Sequence, residues 1–192
     1  MNAMREDLLR KGRRGASVAA GTLLTLLMLS GACPVASFVD SERAQERLER
    51  AVRHELVMLP FHGLFDNLEF NVEGFTVTLL GQVIRPVLKE DAEAAVKGIE
   101  GVERVDNRIE VLPLSPDDDR IRFGTYRAIF RDPSLNRYLL RAVIPIHIVV
   151  KNGNVILEGA VETEMDKTLA GIRAREVRGA FSLTNNLRVV KE

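Results

Sequence analysis

The chain has 192 residues, enough for one large or two small domains. Its content of 46% hydrophobic and 28% charged residues is that of an ordinary globular protein, which excludes a disordered or a membrane-embedded chain. Lysine plus arginine balances aspartate plus glutamate at 27 each, so there is no bulk pull toward nucleic acid, and a single cysteine excludes an intrachain disulfide and a cysteine zinc site. The balance is uneven along the chain. Residues 1–39 carry five basic and two acidic groups, residues 40–114 nine and fifteen, and residues 115–192 thirteen and ten. An acidic unit followed by a basic one implies different partners for the two, or units that face each other.

The N-terminus reads as an address. Arg5, Arg10, Lys11, Arg13 and Arg14 precede an apolar run from Val18 to Leu29, then Ser30-Gly31-Ala32 and Cys33. This is the three-part layout of an export signal. Cleavage before Cys33 would make it the first mature residue, with its thiol placed for lipidation. Against this, Leu29 lies one place before the position where lipoprotein signals carry a large aliphatic residue. An uncleaved anchor is the alternative: no charge occurs from Gly15 to Val39, a stretch long enough to span a hydrocarbon core of about 30 Å. The residues after Arg13-Arg14 do not fit a twin-arginine signal. Residues 1–39 are therefore an export signal, or a lipoprotein or membrane anchor.

From Ser41 to Met58 the apolar residues Ala44, Leu48, Ala51, Val52 and Leu56 recur on one side of a predicted helix, which Pro60 and Gly63 end. Leu68, Phe70 and Val72 alternate with polar residues as in a half-buried strand. Gly74 turns the chain, and Val77, Leu79, Gly81 and Val83 continue the alternation. A second helix is predicted from about Leu88 to Ile99, with Gly101 turning the chain beyond it, and Val105, Ile109 and Val111 lie in a closing strand. Pro113 to Asp118 reads as a short, stiff linker. A helix from Asp119 to Arg131 follows. Val143 to Lys151 and Val155 to Val161 are strands joined at Asn152-Gly153, a hairpin signal because both positions need positive φ. Pro145 has no amide proton to donate, so its strand belongs at an edge or leaves that position unpaired. Met165 to Val177 is a helix and Leu183 to Val190 the last strand.

The two halves repeat at an offset of 78 residues. Without a gap, Val72 meets Val150, Val77 meets Val155, Leu79 meets Leu157, Gly81 meets Gly159 and Val83 meets Val161. The frame continues through Lys89 and Lys167, Ala92 and Ala170, Gly101 and Gly179, Asn107 and Asn185, and Val111 and Val189. Duplication predicts two domains, 40–112 and 119–191, with 113–118 between them. The expected fold class is α+β: two tandem small α/β sandwiches, each helix-strand-strand-helix-strand with a three-stranded sheet. Gly81 and Gly159, inside strands, point to close packing or a bulge.

The string from Lys151 to Val161, Lys-Asn-Gly-Asn-Val-Ile-Leu-Glu-Gly-Ala-Val, resembles the central signature of the BON domain. Asp132-Pro133-Ser134-Leu135 resembles that family's helix-ending motif. Gly179, Asn185, Leu187 and Val189 resemble its closing segment, and Thr76–Val83 with Glu100–Asn107 carry the same pattern in the first repeat. The first repeat departs by having a longer Pro60–Asn67 connection in place of the Asp-Pro-x-Leu step. The second has Ala180-Phe181 after Gly179. The resemblance implies tandem domains of the periplasmic, osmotically inducible type, with no catalysis, no cofactor, an envelope location and association with phospholipid surfaces. Some relatives bind polymers or protein assemblies instead.

Little in the chain suggests chemistry. His54, His62 and His147 have no partner at ligand spacing, and no nucleophile elbow or phosphate loop is present. Glu90, Asp91 and Glu93 cluster at a predicted helix start, where negative charge suits the dipole. The structural glycines are Gly81, Gly101, Gly153, Gly159 and Gly179. The binding candidate is the helix from Asp119 to Arg131. Arg120, Arg127 and Arg131 recur along one side, with Arg122 adding charge, and Phe123 and Tyr126 line another. A basic helix with aromatic residues would attract an anionic membrane surface. The plainer reading is a solvated face with Phe123, Ile129 and Phe130 in the core. The expected function is thus a periplasmic, membrane-held, non-catalytic protein that binds anionic phospholipid and supports envelope integrity or stress tolerance. The alternative is an adaptor for an envelope protein or polymer, and neither reading involves nucleic acid.

Overall fold

The computed structural model describes residues 35–190, so Cys33 and the lipidation expected of it lie outside the described residues. The elements run α1 (Val35–Val57), β1 (Asn67–Glu73), β2 (Thr76–Val83), α2 (Pro86–Lys97), β3 (Arg104–Asn107) and β4 (Glu110–Val111). The second repeat has α3 (Pro116–Phe130), α4 (Pro133–Asn136), a 3-10 turn at Arg137–Leu140, β5 (Ile146–Lys151), β6 (Asn154–Val161), α5 (Glu164–Arg175), β7 (Ser182–Asn185) and β8 (Arg188–Val189). Each repeat is a small sheet covered on one face by two helices, so the fold is two tandem α+β domains.

The central strand of each sheet pairs antiparallel with the strand before it, as in Val72 opposite Val77 and Val150 opposite Val155. It pairs parallel with two short strands after it. The third position predicted as one strand is therefore split in two. A repeated asparagine makes the break. Asn107 donates to the Lys89 carbonyl at 2.9 Å and accepts from the Ile109 amide at 3.1 Å; Asn185 donates to the Lys167 carbonyl at 2.8 Å and accepts from Leu187 at 3.3 Å. The same residue pegs the helix to the sheet and interrupts the ladder.

Helical spacing sets the cores. Leu48, Val52 and Leu56 of α1 meet Leu88, Ala92 and Val96 of α2 over Val72, Val77, Leu79 and Val83. In domain two, Ile121 and Ile129 of α3 and Ala170 and Ala174 of α5 cover Ile146, Ile148, Val150, Val155 and Leu157. The helix starts differ from the periodicity-based reading. Pro86 and Pro116 sit in the first turns of α2 and α3, where a fixed φ suits the helix and a missing amide proton costs nothing. Ser115 caps α3, its hydroxyl accepting from the Asp118 amide at 3.2 Å. Residues 116–118 of the expected linker are thus the first turn of α3. Glu90, Asp91 and Glu93 are inside α2, and Glu93 instead pairs with Lys97 and takes the Asn107 amide.

Gly81 and Gly159 have φ of 110° and 112°, and their positions crowd the preceding strand: a Cβ would lie 2.1 Å from the Asn67 carbonyl oxygen or 2.0 Å from that of Pro145. Only glycine fits either site. β5 is an edge strand and starts just past Pro145, whose carbonyl accepts from the Ala160 amide at 2.8 Å. Asn152 and Gly153 form the hairpin turn with φ of 51° and 75°.

From Val35 on the chain is one compact unit, and the longer Pro60–Asn67 connection holds its two domains together. Leu64 and Phe65 leave domain one and pack against the core of domain two. The Ile148 amide donates to the Leu64 carbonyl at 2.8 Å, and Phe65 meets Phe123 edge-on with ring centroids 5.4 Å apart. Lys151 pairs with Glu110. The departure of the first repeat from the family pattern is the part that forms the domain junction.

Candidate functional site

The α3 helix divides its side chains by direction. Ile121, Thr125 and Ile129 face the core. Arg122, expected to add surface charge, is 2% exposed: it reaches through the domain to the Val150 carbonyl at 2.7 Å and pairs with Asp119. Its aliphatic stem is core, and its charge is unavailable to a ligand. Phe123 and Tyr126 turn toward domain one, where both rings meet Phe65, and Tyr126 also packs on Phe130. Phe123 and Tyr126 are therefore part of the domain junction rather than companions of the arginines. The partner that draws them there, Phe65, is far away in sequence.

On the remaining flank, Arg120, Arg127 and Arg131 line a cleft of about 710 Å³ between α3 and the end of α5. Gly124 lies between these arginines, and a Cβ there would stand 2.9 Å from Val177 Cγ1, so glycine lets the two elements close. The opposite wall supplies Arg173 and Arg178, neither of which sequence spacing had joined to α3. Arg173 is held by Asp132 at 3.0 Å and Glu176 at 3.4 Å. The Ser134 amide and Arg173 hold the Asp132 carboxyl below its ordinary range, and the bond to Asp132 raises the Arg173 guanidinium above its own. Arg120 pairs with Asp117 in full solvent. Arg127, Arg131 and Arg178 are exposed and make no ion pair among the described residues. The cleft thus presents three guanidinium groups without ion-pair partners among the described residues, two on α3 and its C-cap and one on the turn after α5, a set suited to phosphate or carboxylate oxygens.

Domain one lacks this site. In the 78-residue frame Ala95 stands where Arg173 does, and Glu100 where Arg178 does. Its counterpart feature is apolar. Gln45 donates to the Val72 carbonyl as Arg122 does to Val150, which aligns Ala44 with Ile121. In domain two Ile121 lies over Gly179; in domain one the smaller Ala44 leaves a groove of about 850 Å³ over Gly101, bordered by Leu48, Ile99 and the exposed Phe75. Among the described residues no helix is long and apolar enough to cross a membrane, and no group of three or more His, Cys, Asp or Glu could hold a metal ion.

Two helices on a small mixed sheet, duplicated, define a tandem α+β fold. The BON domain family model matches residues 44–113 and again 117–191, and the chain belongs to the BON-domain family. BON domains are generally non-catalytic binding domains. No curated protein matches the chain. Two solved structures of CdsD, a structural protein of the type III secretion system of Chlamydia trachomatis, are similar to it at 13% and 12% identity. The first, its C-terminal domain, covers 76% of this chain and 98% of its own, with a TM-score of 0.28; the second covers 76% and 93%, with a TM-score of 0.27.

Proposed function

We propose that the protein is a non-catalytic binding protein of the bacterial envelope that associates with anionic phospholipid surfaces through the arginine cleft of domain two. The observation that carries this reading is the set of Arg127, Arg131 and Arg178, exposed, convergent and without ion-pair partners among the described residues. Each basic group near an anionic membrane contributes about 1 kcal/mol, within a Debye length. The attraction is mainly electrostatic: Tyr126 packs on Phe65 and Phe130, and of the two aromatic residues only Phe123, 52% exposed beside Phe65, is open to an apolar contact. The family and the export-like N-terminus support the envelope location, and held near a membrane the protein would serve envelope integrity or stress tolerance.

The test is sedimentation of the protein with phosphatidylglycerol vesicles and with phosphatidylcholine vesicles. Binding is expected only to the former and to weaken with salt. Replacing Arg127, Arg131 and Arg178 by Gln should reduce it roughly 100-fold, from three contributions of about 1 kcal/mol. Equal binding by parent and triple variant would refute the cleft. Absence of binding by the parent would favour the second reading, an adaptor for an envelope protein or polymer, for which the Phe75 groove of domain one is the specific support.

A further inference from the structure

The junction between the domains contains two of the three histidines of the chain. His62, on the Pro60–Asn67 connection, and His147, on β5, stack with ring centroids 5.6 Å apart and planes 20° from parallel. His62 Nε2 and His147 Nδ1 are both buried and have no hydrogen-bond partner among the described residues. Lone pairs and N–H bonds lie in the ring plane, so stacked rings cannot converge on an ion between them, and no third ligand is gathered there among the described residues. The arrangement suits two neutral rings. A proton on either would bury a charge beside a nitrogen that has no partner, and a second would add like-charge repulsion.

We propose that the His62–His147 stack is a proton-operated latch that holds domain one to domain two while both rings are neutral and releases it when they are protonated. The surrounding charges do not compensate for protonation. Asp66 is the carboxylate that acts on both rings, but its oxygens are committed to the Ile84 amide at 2.8 Å and the Gly63 amide at 3.2 Å. Glu158, opposite His147 on β6, takes the Asn186 amide at 2.7 Å, and Glu69 on β1 takes that of Asn67 at 2.9 Å. Lys151 of β5 is paired with Glu110, and Arg85 lies over the Phe61 ring at 5.1 Å. Burial lowers the basicity of both rings, and for His147 the neighbouring His62 lowers it further; backbone hydrogen bonds to Gly63 and Asp66 oppose this at His147, and the Asp66 charge opposes it at both rings, without reversing it.

The direction of the pH response follows. A histidine less basic in the closed state than free contributes closure stability that is complete above its free value, about pH 6.5, and is lost as pH falls below it. Between the free and closed-state values, opening gains up to about 10-fold per pH unit for each ring and about 100-fold for the pair. The Ile148 amide, which donates across the junction to Leu64, reports closure; the amides of the central strand β6 report the integrity of domain two.

The experiment follows amide exchange in the full chain from about pH 8 to about pH 5, corrected for its intrinsic pH dependence, alongside the histidine ring resonances. Ile148 is expected to lose protection as His62 and His147 take up protons, while β6 keeps its own. The His62→Phe, His147→Phe double variant retains stacked rings that cannot be protonated and should hold Ile148 protected throughout. The single His62→Phe variant, which leaves β5 untouched, should retain about one tenfold step per pH unit. His54→Gln, on α1, should behave as the parent. Ile148 protection that does not change with pH in the parent would overturn the proposal. So would loss of protection in a His62→Phe variant with the slope of the parent.

Discussion

At Gly81 and Gly159 one missing carbon decides a fold. Each residue has a φ near +110°, and each has a carbonyl oxygen of the preceding strand where a side chain would begin. The contact is with backbone, so no rotamer change relieves it. Gly159→Ala should destabilise domain two, and Gly81→Ala domain one, by about 3 kcal/mol each, combining strained backbone with steric displacement. Urea unfolding followed separately in the two domains measures this, and midpoints equal to the parent would show that the strands can part. A strand glycine at matched positions of a repeat is visible in the sequence, but the identity of the opposing atom is not. Arg122 shows the reverse limit. Its spacing resembles that of its surface neighbours, yet it is core, because the carbonyl that receives it belongs to a strand 28 residues away.

The elements were legible wherever hydrophobic period and turn chemistry agreed. The alternation of β2 and β6, the Asn152-Gly153 turn and the repeat frame each recur in the structure. Helix starts were less legible: Pro86 begins α2 two residues before Leu88, and Pro116 begins α3 with Asp117, Asp118 and Asp119, ahead of the first apolar residue, Ile121. The first turn of α3 also has a long-range role. Asp118, 1% exposed, accepts from the Asn152 amide at 2.9 Å and the Gly153 amide at 2.7 Å, fastening the helix to the hairpin. Asp118→Ala should cost domain two about 2 kcal/mol by leaving these amides unpaired. Asp117→Ala, which removes an exposed pair, should leave the melting temperature unchanged. Equal melting temperatures for the two variants would remove Asp118 from this role. The arginine cleft was half legible: α3 shows Arg120, Arg127 and Arg131 at helical spacing, whereas Arg178 joins them only through the approach that Gly124 permits.

At the scale of the molecule the decisive segment is the one that departs from the repeat. Residues 60–67 read as an irregular connection, and nothing local shows that Leu64 and Phe65 belong to the core of the other domain. Phe65→Ala should therefore affect coupling more than either domain. The parent is expected to unfold in one transition and the variant in two, with domain one and domain two probed separately; coincident transitions in the variant would refute this. The same segment also shields β5. The outer edge of Ile146–Lys151, a strand with four buried residues, has no partner strand; the Leu64 carbonyl accepts from its Ile148 amide and Arg122 donates to its Val150 carbonyl. An uncovered apolar edge is a template for the strand of another copy. Domain separation would thus also uncover this edge, which the Pro60–Asn67 connection of the first repeat covers in the closed state.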